Sequence, residues 1–199
     1  MTESVNAIKV VLVGESAVGK TCIIERLCFK KYVANPQSTI GSANVTTVLD
    51  YGNESLTLEV WDTAGQEAYR SLNRIFYKGA KIAVMVYDIT KKATFDEIQN
   101  YWLGQIRSVC GEEAIVGILG NKSDLFANEQ VPEQMAREFA EKNKCYFQLC
   151  SAYEGVGIEE TFKELAKPFL KEKIDDNPSG FALTGDEDDK IKKEKKCCK

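Results

Sequence analysis

Eight consecutive residues, Gly14-Glu15-Ser16-Ala17-Val18-Gly19-Lys20-Thr21, carry two glycines, a lysine and a hydroxyl at the spacing G-x-x-x-x-G-K-[ST]. That combination suits a polyphosphate. The glycines let the backbone curl so that successive N–H groups, from Ser16 through Gly19 and on to Cys22, point at phosphate oxygens, and a helix dipole starting near Lys20 adds positive potential. Lys20 would neutralise the terminal phosphates, and the Thr21 hydroxyl would ligate a hard, oxygen-seeking divalent ion. The plain alternative is an ordinary glycine-containing strand-to-helix turn; Lys and Thr at the helix start argue against it.

Two further loops extend this chemistry. Leu56 to Trp61 is strand-like and ends in Asp62-Thr63-Ala64-Gly65-Gln66-Glu67. A carboxylate at the C-terminal end of such a strand, Asp62, can reach the metal; the Gly65 N–H can bond a terminal phosphate with no side chain in the way, and Gln66 can orient an attacking water. In Pro36-Gln37-Ser38-Thr39-Ile40-Gly41, Thr39 offers the metal a second hydroxyl, with a simple surface turn as the alternative. Asn121-Lys122-Ser123-Asp124 follows another buried run. There Asp124 can accept from the N1–H and 2-amino group of guanine, which adenine does not present, so one carboxylate chooses between GTP and ATP. Lys122 would lie along the purine and Asn121 would tie this loop to the phosphate loop, although N-x-x-D also suits a helix cap. After the last apolar run come Cys150-Ser151-Ala152-Tyr153, where the Ala152 N–H could meet the guanine O6. Tyr32 could pack edge-on over the base or serve only in packing.

Positioning such loops requires a sheet whose strands end together. Ile8 to Val13 reads as a buried strand and Lys20 to Phe29 as the helix after it. Val45 to Tyr51 and Leu56 to Trp61 flank Gly52-Asn53, which tolerates a tight turn, so a hairpin and one antiparallel edge are predicted. Ile82 to Tyr87, Ala114 to Leu119 and Cys145 to Leu149 complete a six-stranded sheet, with helices over Phe95 to Val109, Glu133 to Asn143 and Ile158 to Leu170. The predicted fold class is therefore α/β, mostly parallel, with helices on both faces. Residues 1–170 form one domain. Residues 171–199 read as a flexible tail, because an acidic run Asp186 to Asp189 and a lysine-rich end offer little to bury.

Composition narrows the field. With 26 Lys and Arg against 30 Asp and Glu, a net charge of -4 excludes a general basic field for nucleic acid. The chain contains no histidine, which removes His-based acid/base and metal chemistry. Seven cysteines is an odd number, and Cys22, Cys28, Cys110, Cys145 and Cys150 sit in or beside apolar runs at no metal-ligand spacing, as reduced cytosolic thiols do. The apolar stretch Val10 to Val13 is too short for a signal peptide, and nothing has transmembrane length.

The four loops in this order, over residues 8 to 170, resemble the Ras-like small GTPases, and within them the Rab family. Leu56 to Trp61, Tyr69-Arg70-Ser71-Leu72, Phe76-Tyr77-Lys78-Gly79-Ala80 and Met85-Val86-Tyr87-Asp88-Ile89-Thr90 match Rab-characteristic segments. Gly14 to Lys20 with Ser38-Thr39-Ile40-Gly41 is most similar to the endocytic, early-endosome group. The resemblance implies a P-loop NTPase G domain that binds GTP and GDP with Mg²⁺, uses Gln66 and Lys20 in catalysis, and cycles slowly, on the order of 10⁻⁴ s⁻¹ unless an activating protein supplies an arginine. It further implies that GTP orders residues 32 to 44 and 64 to 78 through Thr39 and Gly65, presenting an effector surface of Ile40, Gly41, Asn44, Trp61 and Phe76. An exchange factor, a GTPase-activating protein, GTP-form effectors, a prenylation escort and a GDI-type extraction protein are the implied partners. The implied setting is the cytoplasmic face of endosomal membranes with a cytosolic pool, in vesicle traffic.

Three departures stand out. Asn44 replaces an aromatic of the family's effector triad; Tyr153 replaces the lysine of S-A-K; and the chain ends Cys197-Cys198-Lys199 rather than in its cysteines. Lys196 rules out a C-a-a-X signal, while Cys197 and Cys198 behind a lysine cluster resemble a double geranylgeranyl site, with a solvated tail as the alternative. A P-loop kinase would need a second substrate site and an arginine-bearing lid, for which no segment is found. A scaffold that retains nucleotide without cycling is a third class, against which Gln66 argues.

Overall fold

The computed structural model describes residues 7–34, 36, 39, 42–63 and 75–170. Strand β1 (Ile8–Val13) is followed by helix α1 (Lys20–Phe29), β2 (Ser42–Asp50), β3 (Ser55–Thr63) and β4 (Ile82–Asp88). Helix α2 (Lys92–Glu97) runs through a π-helical turn (Ile98–Trp102) into α3 (Leu103–Cys110), and then come β5 (Ile115–Asn121), a 3₁₀ turn (Ser123–Asn128), α4 (Glu133–Lys142), β6 (Tyr146–Leu149) and α5 (Ile158–Ala166). The six strands lie in the order β2-β3-β1-β4-β5-β6. Only β2 and β3 pair antiparallel; β1, β3, β4, β5 and β6 all run the same way.

Alternation along each strand sends side chains to two separate cores. Val10, Leu12, Val84 and Val86 face a layer that includes Ile23, Leu27, Phe162 and Leu165 of α1 and α5. Val11, Val13, Met85 and Tyr87 face the other, with Phe95, Ile98, Trp102, Ile106 and Ala136 of α2 to α4. Because β1 and β4 are covered on both faces they are apolar apart from Lys9 in β1 and Asp88 at the end of β4, whereas the edge strand β2 buries only Leu49. Gly117 on β5 lets α5 pack closely, since a Cβ there would lie 2.8 Å from Leu165.

The predicted α/β class, the six strands and the single antiparallel pair match this architecture. Several boundaries differ. The hairpin extends to a pair between Ser42 and Thr63, so residues 42–44, read as part of a loop, are strand. An edge strand is held by its backbone ladder and needs no apolar alternation. The helix predicted over Phe95 to Val109 begins at Lys92 and contains the π turn, where one extra residue shifts the apolar period. Strand β5 runs to Asn121 rather than ending at Leu119, and the helix predicted to Leu170 is interrupted by a turn at Lys167, after which residues 168–170 are again helical. The five cysteines among the described residues are free, with Cys22 and Cys150 buried and the other three half-buried. No helix among the described residues is long and apolar enough to cross a membrane.

Candidate functional site

Parallel strands bring their C-terminal ends to one sheet edge, which is where open α/β sheets bind ligands. The loop after β1 curls through Gly14 at φ 140° and Gly19 at φ 98°. Both positions also forbid a side chain, since a Cβ would drive Gly14 into the Val86 carbonyl and Gly19 into the Asn121 amide. Lys20, at the start of α1, turns back over the loop and donates to the carbonyls of Gly14 and Glu15 at 2.9 and 2.8 Å. Burial pulls the Lys20 ammonium down to about 8, against the charges of Asp62 and Glu15, which favour it.

At the end of β3, Asp62 gathers the other two residues expected to bind metal. Thr21 donates to Asp62 Oδ2 at 2.7 Å, Thr39 donates to the same oxygen at 3.2 Å, and the two hydroxyls lie 3.1 Å apart. Asp62 is 6% exposed, and its Oδ1 has no hydrogen-bond partner among the described residues. Burial pushes its carboxyl up, against the Thr21 hydrogen bond, the Lys20 charge and Thr39. A buried carboxylate with an orphaned oxygen, beside two hydroxyls, is an oxygen-only donor set for a hard cation. Among the described residues no three His, Cys, Asp or Glu side chains converge. The cluster thus provides few protein charges and relies on ligand oxygens for the rest, as phosphate-bound cations do.

A cavity of about 460 Å³ opens beside the phosphate loop, lined by residues from three strand ends, among them Gly19, Asn121, Lys122, Asp124 and Ala152. Asn121 is 2% exposed; its amide donates to the Val18 carbonyl at 2.8 Å while its Oδ1 accepts from the Ala152 N–H at 3.1 Å. It therefore joins three loops, and the Ala152 N–H, expected to meet a base oxygen, is engaged by Asn121. Asp124 accepts from the Ser151 hydroxyl at 2.5 Å, and that hydroxyl accepts from the Glu154 N–H at 3.0 Å. Lys122 donates to the Ala17 carbonyl at 3.0 Å and pairs with buried Asp88 at 2.5 Å. Burial would raise the Asp88 carboxyl, but hydrogen bonds from Lys122 and Thr90 overcome it and hold the group below its ordinary value. Asp88 was not singled out in the sequence; its place at the end of β4 beside β5 was the available signal. At the cavity mouth the rings of Tyr32 and Tyr153 meet edge to face at 5.2 Å. Cys22 also lines the cavity, and its thiol donates to the Val33 carbonyl at 3.6 Å. Ser16 and Ala17 are exposed on the phosphate loop, and Val18 is buried beneath it.

On the hairpin, Asn44 lies opposite Trp61 and donates to Glu59 at 2.8 Å. Trp61 stacks on Phe76 at 5.9 Å, with the Lys9 ammonium 4.5 Å over its ring. Asn44, Trp61 and Phe76 are therefore grouped on one surface. Ile40, Gly41, Gly65, Gln66, Cys197 and Cys198, with the tail 171–199, lie outside the described residues.

Fold and site together define an α/β domain of the phosphate-loop nucleotide-binding class. Residues 9–171 match the family model described as "Ras family". Among curated proteins the chain is similar to the Ras-related protein Rab-2B of Dictyostelium discoideum, 37% identical over 89% of this chain and 87% of that protein. It is 33% identical to Rab5A of Oryza sativa subsp. japonica over 96% of this chain and 94% of that one, and 41% identical to Rab11A of Lotus japonicus over 77% and 68%. The chain belongs to the Rab small GTPases of the Ras family. It binds guanine nucleotide, hydrolyses GTP and regulates vesicle traffic, and it acts through regulators and effectors.

Proposed function

We propose that this chain is a lipid-anchored, Mg²⁺-dependent GTP/GDP timer acting at the cytoplasmic face of endosomal membranes, with a pool in the cytosol. The observation that carries the reading is the shared cavity, in which the phosphate loop and the ends of β5 and β6 wall a single space.

Within that reading, backbone N–H groups from Ser16 to Cys22 and the Lys20 ammonium hold the phosphates, and the carbonyls of Gly14 and Glu15 keep Lys20 aimed before ligand arrives. Thr21, Thr39 and Asp62 would hold Mg²⁺, which supplies charge neutralisation at the β- and γ-phosphate oxygens. Gln66 positions the attacking water and the Gly65 N–H holds the γ-phosphate. Loss of that phosphate releases Gly65 and Thr39, and with them the two loops that frame the Asn44, Trp61 and Phe76 surface. Asp124, oriented by Ser151, selects guanine; Lys122, fixed by Asp88, and Tyr153 flank the purine. A guanine-nucleotide exchange factor, a GTPase-activating protein, a prenylation escort and a GDI-type extraction protein would act on residues 1–170 and on the tail 171–199, where Cys197 and Cys198 would carry the lipids.

Asp124→Asn is the direct test. The variant should exchange its guanine preference for xanthine nucleotides in a competition assay; unchanged selectivity for GTP would remove Asp124 from the pocket.

A further inference from the structure

Arg26 sits in the last turn of α1 and reaches three backbone carbonyls on two different loops. Its Nε donates to the Ala152 carbonyl at 2.9 Å, its Nη2 to the Tyr153 carbonyl at 2.6 Å and its Nη1 to the Lys30 carbonyl at 3.3 Å. Lys30 ends α1 in a left-handed turn at φ 57°, from which the chain runs directly to Tyr32. Ala152 and Tyr153 belong to the loop after β6. Both loops line the cavity together with Asp124, one through Tyr32 and the other through Ala152 and Tyr153.

The surroundings are shaped to this guanidinium. Gly155 passes over it at φ 82°, and a Cβ there would stand 3.2 Å from Arg26 Cδ. Three carbonyls spread over two loops can be met at once by a planar fork of five N–H donors, whereas the single ammonium of lysine has no such spread. Beyond the fork, Tyr32 and Tyr153 are 41% and 63% exposed yet hold an edge-to-face contact with an interplanar angle of 88°. Burial does little for rings this open. Their contact follows from the spacing of the two loops, and that spacing is what Arg26 sets.

We propose that Arg26 is a positioning residue that latches these two loops together, and that through the Tyr32–Tyr153 contact it sets the rate at which bound purine nucleotide leaves. The latch rests on the assignment of this cavity to the guanine base. Tyr32 and Tyr153 both line the cavity that runs from Gly19 to Asp124, so parting of the two rings widens the way out for a ligand held there, and the Arg26 hydrogen bonds to both loops oppose that parting. Arg26 touches neither the phosphate loop nor Asp62 in its hydrogen bonds, so departure of nucleotide should change while the hydrolytic step does not.

The test uses the full chain loaded with N-methylanthraniloyl-GDP and chased with unlabelled GDP. Arg26→Ala should speed dissociation roughly tenfold to a hundredfold, the range for losing contacts to a charged donor. Arg26→Lys should restore only part of the retention, and Tyr153→Lys should also speed release. In Arg26→Ala with Tyr153→Lys the second change should add less than it does in the parent chain. Single-turnover hydrolysis of GTP bound to Arg26→Ala, with Tyr153 unchanged, should stay within about twofold of the parent, which a general loosening of the fold would not permit. If Arg26→Ala does not fold, Arg26→Lys and Tyr153→Lys carry the measurement. Dissociation from folded Arg26 variants within about twofold of the parent would overturn the latch. Asp124→Asn, run beside them against GDP and xanthosine diphosphate, separates the two assignments. A shifted base preference with unaltered release from Arg26 variants defeats the latch alone, and an unshifted preference defeats the pocket.

Discussion

Replacing Lys20 with methionine should stabilise the nucleotide-free protein near neutral pH while destroying its hold on nucleotide. Burial holds the folded ammonium at about 8, against 10.5 for the ordinary group, despite help from Asp62 and Glu15. Below pH 8 both folded and unfolded chains carry the charge, and the folded chain bears the full penalty. Between pH 8 and 10.5 the folded state releases its proton while the unfolded state keeps it, so stability rises with pH through that window. At about 1.4 kcal/mol for each tenfold change in proton affinity, the gain is roughly 3 kcal/mol. Methionine also forgoes the hydrogen bonds to the Gly14 and Glu15 carbonyls, which costs about 1–2 kcal/mol. The variant should therefore be more stable than its parent by about 1–2 kcal/mol at pH 7 and less stable by a similar amount above pH 10.5. Urea unfolding of EDTA-treated, nucleotide-stripped protein at a series of pH values measures the difference between the two. The free thiols have folded pKa values raised by burial, which lowers stability above pH 9, but they are common to both proteins and cancel. Excess GTP should reverse the order at pH 7, because only the parent gains binding energy. A difference that stays flat from pH 7 to 10.5 would mean that burial does not depress the Lys20 ammonium.

Gly14→Ala should be among the most damaging single-methyl additions, since φ 140° and the Val86 carbonyl both oppose it; a loss of about 3 kcal/mol, or on the order of 10 °C in Tm, is expected by scanning calorimetry. Asp62→Asn removes a buried carboxylate whose raised pKa weakens the fold as pH rises, so the apo protein should become more stable at neutral pH while magnesium no longer tightens GDP binding in titration calorimetry. Serine at both Cys197 and Cys198 should move the protein from membrane to cytosol on fractionation, and continued sedimentation with membranes would count against the lipid anchor.

Much of the fold was legible because its signals are local. The apolar runs of β1, β4 and β5, the turn at Gly52 and the phosphate loop each depend on residues close in sequence, and they marked the strand ends where the site residues gather. The less legible parts have distant causes. Strand β2 extends to Ser42 because Thr63 faces it across the ladder, and nothing in Ser42-Ala43-Asn44 alternates to announce it. The π turn at Ile98 to Trp102 breaks the 3.6-residue period that would reveal it, while Trp102 itself is buried and donates to Glu15, 87 positions away. Arg26 reads as one more polar residue on a surface helix, because backbone carbonyls, its partners, leave no mark in a sequence. Asp88 likewise gains meaning only once β4 and β5 stand side by side and Lys122 reaches it.

Whether one cavity at the sheet edge receives guanine nucleotide with its divalent ion is decided by the nucleotide that native protein carries and rebinds. Mass spectrometry of gently purified full-length chain should find GDP or GTP, and after EDTA stripping the protein should take up GDP but not ADP, more tightly with magnesium than without. Protein that carried an adenine nucleotide, or that took up neither guanosine di- nor triphosphate in the presence of magnesium, would show that this cavity is not a guanine-nucleotide site.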